Sequence, residues 1–301
     1  MKEWMGHVGA MLVVAVWGTT FVSSKVLIGF GLTPADIFFY RFLLAYMCLV
    51  AVSHRRMWSG SVRDELSLMG LGIMGGSLYF LTENMALVYS TSANVSILVS
   101  TTPIVTALVV SVFYKSERMT RRQALGSLCA FVGVVLVVLN GQLYLHLNLR
   151  GDLLALCASC TWACYSLLMR RVMLRYGAVF ITRKVFGYGV LTILPWFLLV
   201  HPLCTDTAIL MRTPVLSNLL FLGLVASTGG FLVWNRVMKV LGAVRVTNYV
   251  YFQSLLTMTV GAVVLHERVT WMALLGCMVL IGGMLVALNS GKKAKAAQAT
   301  T

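Results

Sequence analysis

The segment GSLCAFVGVVLVVL at residues 126–139 returns as GCMVLIGGMLVAL at residues 276–288, and this repetition decides how the chain folds. The two copies align at an offset of 150 residues, which superimposes two glycines of each copy: Gly126 on Gly276, and Gly133 on Gly283. The offset drifts between 142 and 150 elsewhere, and it relates these further pairs: Glu117 and Glu267, Ala93 and Ala243, Trp17 and Trp162, Arg41 and Arg183, Tyr46 and Tyr188. The chain therefore consists of two similar halves whose loops differ in length.

The composition is that of a membrane protein, with 59% hydrophobic and only 11% charged residues. A soluble domain is nearer 25% charged, and a membrane-spanning helix needs about 20 apolar residues. Ten apolar segments of this kind can be assigned: 7–28, 35–53, 67–89, 94–113, 122–140, 152–170, 179–200, 215–235, 246–265 and 270–289. They predict an all-α membrane protein with ten transmembrane helices.

Each half holds five of these segments, and five is an odd number, so the second half enters the membrane from the opposite side. We expect a first five-helix repeat over residues 1–142, a second over 150–290 and a basic cytoplasmic tail over 291–301. Inverted repeats are a common plan of secondary transporters, whose substrate site lies between the halves near the middle of the membrane.

The net charge of +15 sets the orientation. Of the 24 Lys and Arg residues, 17 fall in alternate loops and tails that include both termini, and four fall on the other side. Positive loops face the cytoplasm, so both termini are expected there. The basic residues form short clusters between apolar stretches rather than a patch interleaved with aromatics, which argues against nucleic-acid binding.

The chain resembles the EamA-type branch of the drug/metabolite transporter superfamily over nearly its whole length. The motifs that carry the resemblance are AVWGTTFVSSK at 15–25, FYRFLLAY at 39–46, ALVYSTSANVSILVSTTPIVTAL at 86–108, YKSERMTRRQALGSLCAFVGVVLVV at 114–138, GDLLALCASCTWACYSLLMRR at 151–171 and the stretch 241–288. The resemblance implies proton-coupled or facilitated export of amino acids and other metabolites, usually from the bacterial inner membrane. The chain departs from the family pattern at Gln253, because the family usually has a proline at this position of the ninth helix, as Pro103 stands in the fourth. This leaves open whether the ninth helix bends like the fourth.

Glu83 is the only acid well inside a predicted span. A charge at the centre of a membrane helix costs about 2.5–3.5 kcal/mol on insertion scales, and such residues usually face a cavity. We expect a protonatable site or a partner for a substrate amine, with a structural ion pair or a carboxyl wetted at the outer mouth as alternatives. Tyr79 lies one helical turn earlier on the same face.

Further substrate or coupling candidates are aromatic and amide side chains inside the spans: Trp17, Trp162, Trp234, Asn84, Asn94, Asn235, Asn248, Tyr251 and Gln253. Aromatics and amides can line a ligand cavity. The alternative is that the aromatics pack the core or the membrane interface and that the amides tie helices together.

Two cations, Lys25 and Arg41, fall with Glu83 in the outer half of the membrane. Buried charges tend to pair, so Glu83 is expected to contact Lys25 or Arg41. The remaining cation would then attract a substrate carboxylate, which favours amino acids or organic anions. The alternative is that Arg41 and its counterpart Arg183 anchor helix ends to carbonyls or lipid headgroups.

No cofactor or metal is expected. The cysteines at 157, 160 and 164 share a helix face, but a small packing residue is the simpler interpretation. The expected partners are a small-molecule substrate and membrane lipids, with protons as a candidate coupling ion and the oligomeric state open. An uptake permease or exchanger is the alternative within transport. A membrane-embedded lipid-handling protein or enzyme is the alternative outside it, but the acids here are few and scattered.

The charge asymmetry predicts a topology that thiol labelling can check. In a variant without native cysteines, single cysteines introduced beside Arg56, Arg122 or in the tail at 291–301 should resist an impermeant maleimide added to intact cells. They should react once the cells are permeabilised. Labelling of the tail from outside intact cells would contradict the orientation.

Overall fold

A computed structural model describes residues 3–53, 57–90, 92–114, 119–139, 148–264 and 270–299. The regular elements within these ranges are helices. The first half contains α1 (Glu3–Gly29), α2 (Pro34–Val52), α3 (Val62–Gly72), α4 (Leu78–Tyr89), α5 (Ser92–Val99), α6 (Thr102–Phe113) and α7 (Arg121–Leu139). The second half contains α8 (Leu149–Val172), α9 (Ala178–Leu199), α10 (Thr207–Leu210), α11 (Thr213–Leu220), α12 (Gly230–Leu241), α13 (Ala243–Thr247), α14 (Val250–Val264) and α15 (Trp271–Ala299).

Within the described residues, six helical stretches are long and apolar enough to cross a membrane: Glu3–Gly29, Pro34–Val52, Val95–Phe113, Leu149–Val172, Ala178–Leu199 and Thr213–Leu241. A shorter apolar helix covers Leu274–Leu288. Together they show a multi-pass helical membrane protein. The finer count of ten spans stays a prediction.

The helices of one half pack against those of the other in a matching pattern. α1 packs on α12 and α14, and α8 packs on the corresponding α4 and α6. α2 and α9 pack on each other, and α7 lies along α15. Each half therefore supplies the neighbours that bury the first two helices of the other.

The pairing of α7 with α15 depends on glycines that the sequence repeats. A Cβ atom at Gly133 would lie 2.3 Å from the backbone nitrogen of Leu280, and one at Gly283 would lie 2.3 Å from that of Ala130. At these distances only glycine fits, because the two backbones touch. Close approach through small residues is the usual way for membrane helices to associate.

The third helical stretch of each half contains a π-helical segment. In the first half it covers Ile73–Ser77 and joins α3 to α4, with Gly76 at φ −118° and ψ −106°. In the second half it covers Phe221–Gly229 and joins α11 to α12. A π segment interrupts the regular i to i−4 hydrogen bonds and is frequent at functional sites.

The fourth helical stretch of each half is broken, between Val99 and Thr102 and between Thr247 and Val250. The second break answers the question raised by Gln253, because it occurs without a proline. The Asn248 amide donates to the Val244 carbonyl at 3.0 Å, and the Thr247 hydroxyl donates to the Ala243 carbonyl at 3.0 Å. Such side-chain bonds compete with the helical backbone.

The glycine contact yields a prediction with a neighbouring control. Gly283→Ala should lower the thermal unfolding midpoint of the purified protein by several degrees, because overpacking costs about 1–3 kcal/mol. Gly282→Ala should leave it unchanged or slightly higher, since no neighbouring helix in the described part of the chain comes within 4 Å of a Cβ there and alanine favours the helix. The measurement is monodisperse protein remaining after heating, and equal midpoints would refute the close packing of α7 on α15.

Candidate substrate pocket

A narrow pocket lies at the junction of the two halves, with a cavity volume of about 30 Å³ in this state. Its lining combines aromatic, apolar and a few polar side chains: Trp17, Thr20, Arg41, Tyr79, Phe80, Glu83, Val99, Thr102, Trp162, Phe231, Val250 and Gln253. A concave, mostly apolar site with few polar groups is typical of small-ligand binding.

Helical spacing explains how single helices supply several of these side chains. Tyr79 and Glu83 are four residues apart on α4, and Trp17 and Thr20 are three apart on α1. Residues at these spacings lie on one helix face. Val99, Thr102 and Val250 enter the pocket at the two helix breaks.

The apolar wall is a cluster of aromatic rings contributed by both halves. Trp17 meets the repeat-related Trp162 edge to face, with ring centroids 5.5 Å apart. Phe231 lies 5.7 Å from Trp17 and 5.9 Å from Trp162, and Trp234 lies 4.9 Å from Trp17. Such ring pairs add about 0.5–1.5 kcal/mol each beyond their buried area, so this wall joins the halves as well as lining the pocket.

Two opposite charges share the pocket, and both are almost fully buried. Arg41 is 2% exposed and Glu83 is 7% exposed. The Tyr79 hydroxyl donates to Oε1 of Glu83 at 2.7 Å. Nε of Arg41 donates to the Ser227 hydroxyl at 3.0 Å, and its guanidinium carbon lies 4.2 Å from the centre of the Phe80 ring.

The expected pairing of Glu83 with Lys25 or Arg41 is not what the structure shows. Among the described residues, no nitrogen–oxygen contact within 4.0 Å joins Glu83 to either cation. Lys25 instead donates to the carbonyls of Leu87 and Ser90, the latter at 3.3 Å. Carbonyls at a helix C-terminus lack partners within the helix and attract cations, so Lys25 anchors the end of α4 outside the pocket.

Three of the polar candidates are used in packing and do not line the pocket. The Asn235 amide accepts from the Tyr165 hydroxyl at 2.8 Å and donates to Thr182 at 2.9 Å. Asn248 accepts from the Ser127 hydroxyl of α7 at 3.0 Å. Tyr251 is fully buried in a separate cluster with α7 and α15. Asn248 and Tyr251 are three residues apart, a spacing that puts two side chains on one helix face but does not tell which neighbour that face meets.

The remaining candidates fall into different surroundings. Gln253 lines the pocket, whereas Trp234 lies in the aromatic wall beside it. Asn84 is fully buried, and both polar atoms of its amide lack a hydrogen-bond partner among the described residues. The side chain of Asn94 lies outside the described part of the structure.

The sequence did not single out several residues that line the pocket: Thr20, Phe80, Val99, Thr102, Phe231 and Val250. Thr20 could have been found from its spacing to Trp17. Phe231 could not, because an apolar ring in an apolar helix looks the same whether it faces lipid, core or ligand.

At the end of the bundle where α1 begins, polar contacts join the start of α1 to α13 and to the turn that follows it. Nη1 of Arg245 donates to Glu3 at 2.6 Å, and His7 shares a hydrogen bond with the Tyr249 hydroxyl. Arg183 donates to the Ser53 carbonyl at the end of α2. These contacts tie α1, α2, α9 and α13 together at that end of the bundle.

Comparison with known proteins places these features in a family. The model described as the EamA-like transporter family matches residues 4–139 and again residues 149–289. An "Uncharacterized transporter" of Archaeoglobus fulgidus is 28% identical, over 92% of this chain and 95% of its own. A "Probable amino-acid metabolite efflux pump" of Salmonella typhimurium is 28% identical over 92% of each chain, and one of the same name in Escherichia coli is 25% identical, also over 92% of each.

The overall architecture also matches a solved structure. A protein of known crystal structure superposes with a TM-score of 0.72, covering 97% of this chain and 98% of that one. The sequences are 17% identical, so this likeness supports the fold alone.

Proposed function

The chain belongs to the EamA-like transporter family, and we propose that it is a secondary transporter that exports amino acids or related zwitterionic and anionic metabolites. Its family and its relatives are transporters, not enzymes. The observation that carries the proposal is the presence of Arg41 and Glu83 in one aromatic pocket without an ion pair between them.

The two charges suit the two ends of an amino acid. Arg41 uses Nε for Ser227, and the two Nη groups form the fork that binds a carboxylate with two parallel hydrogen bonds. Glu83 offers a carboxylate to an ammonium group, in competition with the Tyr79 hydroxyl that it accepts from now. The rings of Trp17, Trp162 and Phe231 would enclose an apolar side chain.

Transport would follow by alternating access between two inverted five-helix repeats, with ten spans in all. The proposal is supported by the matching contacts of the two halves and by the family match in each half. The pocket lies where the halves meet, and polar contacts join α1 to α13 at the end where α1 begins. The 17-to-4 distribution of basic residues supports a cytoplasmic location for that end, and the family resemblance supports a bacterial inner membrane.

Release of the substrate would use Glu83. A substrate ammonium held by Glu83 leaves when the carboxylate becomes protonated or returns to Tyr79 as its only partner. Protons are therefore the coupling ion that we propose, since one protonation of a single buried acid cancels the attraction.

Matched ligands test this assignment of charges. Phenylalanine, phenethylamine and 3-phenylpropionate share one ring and carry both charges, only the ammonium, or only the carboxylate. Phenylalanine should bind the wild-type protein tenfold or more tightly than either analogue, because hydrogen bonds to charged groups are worth about 1.5–3 kcal/mol. Binding is measured by thermal stabilisation of purified protein and by flux in proteoliposomes. If phenylalanine does not bind, the same comparison is made with leucine and with threonine, each against its analogues that lack the carboxylate or the ammonium group.

Charge-neutral variants identify which residue binds the carboxylate of the substrate and which binds its ammonium group. Arg41→Gln should bind phenylalanine no more tightly than phenethylamine. Glu83→Gln should bind phenylalanine no more tightly than 3-phenylpropionate, and its flux should no longer depend on pH. Lys25→Gln is the matched control, because it removes a positive charge outside the pocket and should keep both preferences. Wild-type selectivity, flux and pH dependence in both pocket variants would show that the charges are structural.

A further inference from the structure

Gln253 presents an unused amide to the pocket. Its side chain is 7% exposed and lines the cavity one helical turn after Val250, which lines it too. The backbone carbonyl of Gln253 accepts from Thr257, but its side-chain amide has no hydrogen-bond partner among the described residues. Buried polar groups are normally hydrogen-bonded, because leaving one unpaired is costly. An unpaired amide that faces a cavity therefore indicates a partner from outside the chain.

The repeat shows that the shared architecture does not require this amide. The matching position of the first half holds Pro103, whose side chain has no hydrogen-bonding group. The repeat pairs on either side, one of alanines and one of glutamates, share the offset of 150 residues that relates Gln253 to Pro103. Both halves break their fourth helical stretch near this point, so the amide is an addition of the second half and not part of the break.

The packing of α14 on α1 holds the backbone of Gln253 in place. The Thr257 hydroxyl contacts the Gln253 carbonyl at 3.0 Å and the Gly18 carbonyl at 2.9 Å. A Cβ atom at Gly18 would lie 3.0 Å from the Gln253 carbonyl oxygen, so the two helices are in close contact at this level. The amide thus enters the pocket from the side of α1, whereas Arg41 and Glu83 stand on α2 and α4.

We infer that Gln253 selects substrates with a short polar side chain, by forming hydrogen bonds with a hydroxyl or amide group on it. The inference rests on the proposed function, in which Arg41 and Glu83 hold the carboxylate and the ammonium group, and it names the class of side chain. The Gln253 amide donates through Nε2 and accepts through Oε1, so either kind of group satisfies it. The rings that line the rest of the pocket contact the carbon atoms of the same side chain.

The selection works mainly by rejecting apolar side chains. Water can serve the amide in the substrate-free protein, and a substrate that displaces this water has to replace its hydrogen bonds. A hydroxyl group does so, whereas a methyl group of the same size leaves the amide buried and unpaired. Sites with a buried hydrogen-bonding group reject analogues that lack its partner far more strongly than apolar sites reject an added hydroxyl.

Threonine and valine test the inference, because they have the same shape and differ in one hydroxyl against one methyl group. The wild-type protein should bind threonine about tenfold more tightly than valine, since valine leaves the amide unpaired. The same preference is expected for isopropanolamine over isobutylamine, which carry only the ammonium, and for β-hydroxybutyrate over isovalerate, which carry only the carboxylate. Binding is measured by thermal stabilisation of the purified protein and by competition for flux in proteoliposomes.

Variants assign the preference to one side chain. Gln253→Met removes the amide but keeps the length of the side chain, and it should bind valine as tightly as threonine, mainly because valine binds better. Gln123→Met is the matched control, since Gln123 is 8% exposed but its amide accepts from the Thr120 backbone at the start of α7. This control should keep the preference for threonine. If Gln253→Met does not fold, Gln253→Asn, which withdraws the amide by one methylene, should narrow the preference.

The six ligands separate this inference from the proposed function. Equal binding within the pairs by the wild-type protein, or an unchanged preference in the Gln253 variants, would overturn the selection by Gln253 alone. A preference for the hydroxyl without a preference for ligands that carry both charges would support Gln253 and overturn the roles of Arg41 and Glu83. Failure of all six ligands to bind would overturn both.

Discussion

The structure depends on one constraint, which is that a backbone inside a membrane must satisfy its own hydrogen bonds. Regular helices meet it, and irregular backbone is tolerated only where it is buried in protein or lines a cavity. Three irregular segments follow that rule: the breaks at 99–102 and 247–250 border the pocket, and the π segment 221–229 offers its Ala226 carbonyl to Trp17. Departure from regular helix therefore coincides with the place where the two halves meet and a ligand can bind.

The same constraint governs the polar side chains. Most of those buried in the bundle tie helices together, as the chain of hydrogen bonds from Tyr165 through Asn235 to Thr182 does. The pocket differs because its two charges, Arg41 and Glu83, each use a neutral partner rather than one another. That arrangement keeps both charges buried at tolerable cost, since each has a hydrogen bond, and leaves each able to attract a group of opposite sign.

The sequence could identify a candidate site only where a residue type is unusual for its surroundings. Glu83 stood out because an acid inside a span is costly, and Tyr79 followed from one helical turn. Lys25 looked equally unusual in the sequence. It lies near the end of α1, and its long side chain reaches the carbonyls at the end of α4. The sequence does not show which direction such a side chain takes. Asn248 and Tyr251 show the other limit, because periodicity gives a face but not the helix that the face meets.

The sequence alone was enough to establish the membrane class and the two similar halves, whereas the close pairing of α7 with α15 came from the structure. Composition, apolar segment length and repeated glycines suffice for the class and the halves, because they depend on the solvent and on distances along the chain. The packed structure was needed to show which polar groups face the pocket. It was also needed to show that Trp17 makes a hydrogen bond which its counterpart Trp162 lacks among the described residues. Two halves of similar sequence cannot reveal such an asymmetry, because it is a property of one packed state and not of the residues that both halves share.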